Sequence, residues 1–351
     1  MAEQLTVAEA LERQAVSCTA IGSPLYGVLL TGLLDDYRRG GLTAEMLDGV
    51  TDQPVHDALP LRYLATGHLL ALGGRATRLA AHFQSCGGTW NGRADVVGDF
   101  LGTVAANHDE FRRGVRRNVQ TNEVGRAAVL ASGFALIGAR HGLPFDQLEI
   151  GSSAGLLSRW DHFGYDTGAS RGGDPAATVR FDPEWWTNGG PDLGRLQPVV
   201  RRRASDISPI DIGSEAGRRT MLSFVWPDQL ARLERLRAAL AVAEAVPVTV
   251  DQADAADWLA AQLADGPAKG AVTVLFHSIV WQYLPRPTKN GVRATLAAAG
   301  TRASAADPLC WLRMEPDTPE RAGLWLTTWP GGTGEKLAAV GYHGAGIKWL
   351  C

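Results

Sequence analysis

The chain has no apolar run approaching the roughly 20 residues that a membrane span requires, so a membrane protein of the helical kind is not expected. Cysteine is scarce: Cys18, Cys86, Cys310 and Cys351 stand far apart and form no paired metal-ligand spacing. That excludes a disulfide framework and a structural zinc, and it suits a reduced compartment such as the cytoplasm. Charge of one sign is also lacking, with 34 basic against 37 acidic side chains and a formal net charge of -3. No broad field draws in polyanions, and nucleic acid is not an expected partner. The run Arg201-Arg202-Arg203 follows the apolar Pro198-Val199-Val200 and reads as a strand end rather than a phosphate patch. The start, MAEQLTVAEALERQ, carries acidic residues where a secretory signal needs positive ones, and no h-region follows it. Internal repeats and low-complexity tracts are missing as well.

What is there is globular composition, 45% hydrophobic and 20% charged over 351 residues, enough for one large domain or two ordinary ones. The first 140 residues read as successive helices, at Val7 to Val16, Pro24 to Arg38, Pro60 to Leu72 and Ala94 to Val115, with glycine pairs at 40-41 and 73-74 as breaks. A further helix from Glu123 to His141 is terminated by Gly142 and Pro144. From Phe145 the pattern changes to short apolar runs alternating with helices, the signature of a mostly parallel sheet covered on both faces. Seven strands are expected: Gln147 to Ile150, Val199 to Ala204, Pro247 to Val250, Val272 to His277, Leu309 to Met314, Leu324 to Thr328 and Leu337 to Tyr342. The last two form an antiparallel hairpin across Pro330-Gly331-Gly332-Thr333-Gly334. Helices are expected at Leu156 to Phe163, Asp228 to Ala245, Ala255 to Leu263 and Gly291 to Ala299. The division is thus a helical N-terminal lid domain over 1–122 and a sheet domain over 123–351, with an insertion at 164–197 that holds Trp185-Trp186. All of the eleven tryptophans except Trp90 lie after residue 150.

The stretch LEIGSSAGL, Leu148 to Leu156, sits between a strand and an expected helix, as a nucleotide-binding turn does. Glu149, next to last in the strand, is an expected cofactor contact, and small residues at Gly151, Ser152, Ser153 and Gly155 let a ligand approach the backbone, while a helix N-terminus would offer N–H groups to a carboxylate. S-adenosylmethionine (SAM) carries such a carboxylate. A turn of small residues serving packing alone is the competing reading. Asp206 after the second strand could hold ribose hydroxyls, with Asp211 as its competitor, and Asp254-Ala255 after the third could meet the adenine. Each aspartate is otherwise a helix N-cap. At the fourth strand end, in FHSIVWQYL, His277 is the first candidate base, or else a histidine hydrogen-bonded at a strand end, and Ser278 a cofactor contact. Trp281 and Tyr283 could face a sulfonium, or fill the core. Glu315 is either a second acid or, the favoured reading, structural through a salt bridge to Arg313, and His343 is read as structural. In the polar cluster opening the helix at Glu123, Thr121 or Asn122 is a cap, or the cluster, with Gln120 and Asn122, reaches over the cofactor.

These residues resemble a family of bacterial proteins long catalogued as a domain of unknown function, whose core looks like class I SAM-dependent methyltransferases. The stretches that carry the resemblance are VQTNEVGRA (119–127), LEIGSSAGL (148–156), VWPDQLARLERLRAAL (225–240), FHSIVWQYL (276–284) and YHGAGIKW (342–349). The resemblance implies a Rossmann-like seven-stranded, mostly parallel α/β sheet and SAM as cofactor. The methyltransferase signature usually has glycine where this chain has Ser153.

The expected activity is SAM-dependent transfer to a small molecule, most simply of a methyl group, with no metal required. One alternative is a SAM-cleaving cyclase, which turns the aminocarboxypropyl part of SAM into a small cyclic amino acid and releases methylthioadenosine. The other is a SAM-binding protein without catalysis.

Overall fold

The structure is a computed structural model and describes residues 5–351. It divides into two compact units: one of residues 5–121 with Ile212–Glu234, the other of Asn122–Asp211 with Arg235–Cys351. Among the described residues no helix is long and apolar enough to cross a membrane.

The first unit is built of helices. At its start Thr6 accepts a hydrogen bond from the Glu9 amide at 3.2 Å, and the Glu9 carboxylate accepts one from the Thr6 amide at 2.7 Å, which is a reciprocal capping box for Val7–Ala20. Pro24–Arg38 and Leu59–Leu72 follow near their expected bounds. The single helix read over Ala94 to Val115 is two, Asp95–Ala106 and His108–Gly114, interrupted at Asn107, whose side-chain amide donates back to the Thr103 carbonyl at 3.0 Å. Tyr63, Phe100 and Phe111 meet edge to face with centroids 5.1 to 5.6 Å apart and are fully buried.

The division at 1–122 needs correction, because Ile212–Glu234 belongs to this helical unit rather than to the sheet. Buried Trp226 joins its apolar core, its ring centroid 6.1 Å from that of Tyr26. Asp228 accepts from the Ser23 hydroxyl at 2.6 Å and from the Leu25 amide at 3.3 Å, and so closes the N-terminus of Pro24–Arg38 from 203 residues away. The helix read from Asp228 begins instead at Leu230 and runs to Ala245.

The second unit holds an eight-stranded sheet and a small three-stranded one. In chain order the strands are β1 (Phe145–Ile150), β2 (Gly164–Asp166), β3 (Arg171–Gly173), β4 (Arg180–Phe181), β5 (Val199–Asp206), β6 (Val250–Gln252), β7 (Val272–Ser278), β8 (Leu309–Pro316), β9 (Ala322–Trp329), β10 (Thr333–Val340) and β11 (Lys348–Trp349). The large sheet runs β11-β10-β9-β8-β7-β1-β5-β6. Strands β6, β5, β1, β7 and β8 are mutually parallel, and β9, β10 and β11 continue antiparallel. Every residue of β1 and β7 is buried, the mark of central parallel strands covered on both faces. All seven expected strands have a counterpart, but the third is β6 at Val250–Gln252, which shares only Val250 with the expected Pro247 to Val250. The eighth, β11, is a two-residue edge whose Trp349 amide donates to Asn188 at 2.9 Å.

The chain enters the sheet at β1, moves outward through β5 and β6, and returns to β7 on the other side of β1. Strand order therefore reverses between β1 and β7, the place where open α/β sheets bind their ligands. The segment 164–197 carries β2, β3 and β4 and is tied down: Tyr165 stacks on Phe181 with centroids 5.3 Å apart, and the Trp186 indole donates to Ser132 at 3.1 Å.

Asp228→Ala leaves the Ser23 hydroxyl and a first-turn amide without their acceptor. The expected loss is about 1–3 kcal/mol of unfolding free energy, read from urea melts followed by circular dichroism; an unchanged midpoint would show that the long-range cap contributes nothing.

Candidate functional site at the carboxyl edge of the sheet

Strand β1 carries three buried polar side chains, Asp146, Gln147 and Glu149, and each must find a partner within the protein; Asp146 meets Arg201 at 2.6 Å. Gln147 donates to the Ser158 carbonyl and accepts from the Trp160 indole at 2.9 Å. The Ser158 hydroxyl donates to Glu149 at 2.5 Å. Burial pushes the Glu149 carboxyl up to about 8, against the ordinary 4.5, and pushes the neighbouring Arg159 guanidinium down to about 10. Arg159 is held by backbone, at 2.7 Å from the Gly155 carbonyl and 2.7 Å from that of Val246.

Making these bonds bends the chain after the turn. The α-helix expected over Leu156 to Phe163 is replaced by 3-10 turns, Leu157–His162, with Arg159 at φ -109°. The helix N-terminus proposed as a carboxylate site is therefore absent, and its donors have protein partners: the Leu156 amide meets Asn122 Oδ1 at 2.8 Å, and the Ser153 amide meets Asp206 Oδ2 at 2.7 Å. Ser152 donates to the Ser205 carbonyl through its amide at 3.1 Å and its hydroxyl at 3.3 Å.

The turn is also where backbone conformation is least ordinary. Gly151, Ser153 and Gly155 have φ of 63°, 54° and 68°. Ser153 is one of three described non-glycine residues with positive φ, and a second, Ile279 at 51°, follows β7, the strand beside β1. A β-branched residue there is a conformational outlier costing roughly 1–3 kcal/mol. The next residue, Val280, packs on the turn: a Cβ built on Gly151 would lie 2.2 Å from Val280 Cγ2. Glu315 Oε1 holds this second loop, accepting from the Val280 and Trp281 amides at 3.1 Å each.

Other expected site residues fall at the same edge with altered roles. Asp206 Oδ1 accepts from the Ser208 amide at 2.8 Å. Asp254 is the N-cap of Ala255–Gln262, accepting from Ala256 and from Thr288, and Ala255 opens that helix. Carboxylate oxygens have a second lone pair, so both residues keep acceptor capacity beyond these bonds. Asp211 is exposed and outside β5, whereas Asp206 is joined to the turn. Gln120 lies in the helical unit.

His277 needs the largest reassignment. It is fully buried; its Nε2 accepts from the Trp311 indole at 3.0 Å, so Nδ1 carries the proton and donates to Glu315 at 2.6 Å. Both nitrogens are spent, and in this arrangement His277 orients Glu315 rather than receiving a proton from a substrate. Trp281 stacks on the His277 ring with centroids 5.4 Å apart, and the Arg293 guanidinium lies 5.0 Å from its centroid. Tyr283 is exposed. Glu315 bonds to His277 and the loop, not to Arg313 as expected, and its Oε2 is buried without a hydrogen-bond partner. Ser205 Oγ, at the end of β5, is the same.

Arg126 and the two glycines beside it were not singled out for a site. Arg126 donates to the Ser278 carbonyl at 3.2 Å and to that of Tyr342 at 3.1 Å. A Cβ on Gly125 would lie 2.3 Å from the His343 carbonyl oxygen, and one on Gly344 would lie 2.2 Å from that of Gly125. The stretches VQTNEVGRA and YHGAGIKW thus meet backbone to backbone beside the end of β7; their shared glycines and arginine are the signal that sequence offers for this.

Glu149 gives a pH test. Its folded value lies above its unfolded one, so its neutral form stabilises the fold fully below about pH 4.5 and that contribution is lost as pH rises toward about 8. Glu149→Gln is expected to flatten the decline in melting temperature between pH 5 and 8.5 and to melt higher than the parent at the alkaline end. Parallel pH profiles for the two proteins would refute the buried neutral carboxyl.

Neither a curated protein nor a solved structure matches the chain. A family model does, over residues 8–349, and it takes in both units. The chain belongs to the bacterial family described as "Uncharacterized protein conserved in bacteria (DUF2332)".

Proposed function

We propose that the sheet unit binds SAM at the reversal of strand order between β1 and β7, and that the protein is a SAM-dependent transferase acting on a small molecule, most simply a methyltransferase. The observation that carries this reading is the strained backbone on both sides of the reversal, Ser153 after β1 and Ile279 after β7. Strain of this kind persists where the surroundings over-determine it, and it gathers at ligand sites. Two further observations support a ligand here. The five parallel strands have the order in which open α/β sheets bind ligands at their carboxyl ends. Two buried oxygens without partners, Ser205 Oγ and Glu315 Oε2, lie at the ends of β5 and β8.

Gly151, Ser152, Ser153 and Gly155 would line the cofactor. Asp206 would take the ribose with its spare lone pairs, and Asp254 with Ala255 would face the adenine. Asn122, which already bonds to the turn, would orient the amino-acid end. With the expected helix N-terminus replaced, the cofactor carboxylate would have to displace Asn122 or meet another donor. SAM supplies an activated methyl group, and the protein's part is alignment of nucleophile and methyl. Tyr283, exposed at the loop, is better placed to meet a substrate than Trp281, whose ring already lies against an imidazole and a guanidinium.

The test is to incubate the protein with SAM, alone and with candidate acceptors, and to identify the nucleoside released. Adenosylhomocysteine is expected; methylthioadenosine would assign the cyclase or an aminocarboxypropyl transfer instead. Gly151→Val, which collides with Val280, is expected to weaken SAM binding at least tenfold while the helical unit keeps its circular dichroism. SAM that binds neither protein would sink the cofactor assignment.

A further inference from the structure

The helical unit contains a cleft that the proposed cofactor chemistry does not use. It has a volume of about 350 Å³, within the range of small-molecule sites. Four arginines line it, Arg75, Arg113, Arg117 and Arg219, against a single carboxylate, Glu110. The lining therefore carries 4 - 1 = 3 net positive charges in a chain whose formal net charge is -3.

The four guanidiniums are not all consumed by their neighbours. Arg75 donates to Asn107 at 3.0 Å and to Glu110 at 2.5 Å, and the second of these bonds is the main cause that holds the Glu110 carboxyl below its ordinary value. Arg219 pairs with Glu215 on its own helix. Arg113 reaches Glu110 only at 3.9 Å and is 63% exposed. The Arg117 side chain has no hydrogen bond or ion pair among the described residues.

The sequence explains how these side chains converge. In Arg112-Arg113-Gly114-Val115-Arg116-Arg117, positions 113 and 117 are four apart at the end of the helix His108–Gly114, and both line the cleft. Arg112 and Arg116 do not: Arg116 donates to the Arg112 carbonyl at 2.8 Å, and Arg112 lies 3.9 Å from Glu45. Arg219 comes from Glu215–Ser223, the segment that returns to this unit late in the chain. Stabilising two helix C-termini would call for a cation at each end. Four guanidiniums around one concavity, one of them without any partner, exceed that need.

We propose that this cleft binds a phosphate or diphosphate group of a small molecule. Guanidinium forks match phosphate oxygens two at a time, and several such forks around a concave surface favour a multiply charged oxyanion over a monocarboxylate. Arg113 and Arg117 supply the uncommitted donors, with Arg75 and Arg219 as flanking charges.

Inorganic pyrophosphate is the probe, titrated by calorimetry into the full-length protein at fixed ionic strength, with inorganic phosphate, citrate and acetate as parallel arms. The Arg113→Gln, Arg117→Gln double variant changes two exposed side chains and is checked for an unchanged melting temperature without ligand. The expected result is that pyrophosphate binds more tightly than phosphate, with acetate weakest, and that the double variant loses at least roughly tenfold in affinity. Citrate binding as well as pyrophosphate would overturn the choice of phosphate chemistry. Equal affinity of parent and variant, or no pyrophosphate binding by the parent, would overturn the site.

Discussion

The parallel pairing of β1 on both of its edges is the constraint on which the sheet unit depends. It buries Gln147 and Glu149 beyond the reach of water, and the chain that follows must supply their partners. Ser158 and Trp160 do so, and the geometry they require replaces an α-helix with 3-10 turns and closes the glycine turn on protein acceptors. The same burial holds Glu149 mainly neutral near pH 7. The arrangement of LEIGSSAGL is thus set from beneath, by a polar network, as much as from above by any ligand.

That closure bears on how the turn would work. The Ser153 amide is satisfied by Asp206, the Leu156 amide by Asn122, and Val280 rests against Gly151. A ligand entering here exchanges bonds rather than filling a ready set of donors. Glu315 fixes the opposing loop through the Val280 and Trp281 amides, with His277 and Trp311 orienting it from within the core. The His277–Glu315 pair supports a strained loop.

The architecture was largely legible in the sequence because hydrophobic periodicity is local: helices at Pro24 to Arg38 and Leu59 to Leu72, and all seven expected strands, follow from it. What it could not show depends on partners distant in the chain. Ile212–Glu234 joins the helical unit because Trp226 and Asp228 find Tyr26 and Ser23, and nothing near residue 220 announces that. The sequence places Asp206, Asp254, His277 and Glu315 at strand ends and offers the N-cap reading that holds for Asp254, but it does not pair His277 with Glu315. Glu315 is a loop clamp and His277 a buried strut, roles decided by hydrogen bonds among β7, the loop after it and β8, which are neighbours only in space. Glycines 125 and 344 illustrate the same limit, since their need for small size arises from one another.

The central claim is that SAM engages the two loops flanking the reversal of strand order. Hydrogen–deuterium exchange of the full-length protein with and without SAM tests it most directly, because it reports backbone amides in both loops at once. Slower exchange confined to peptides spanning 148–156 and 276–284, with the first 100 residues unchanged, is the predicted result; exchange unaltered in both loops at saturating SAM, or altered only elsewhere, would contradict it.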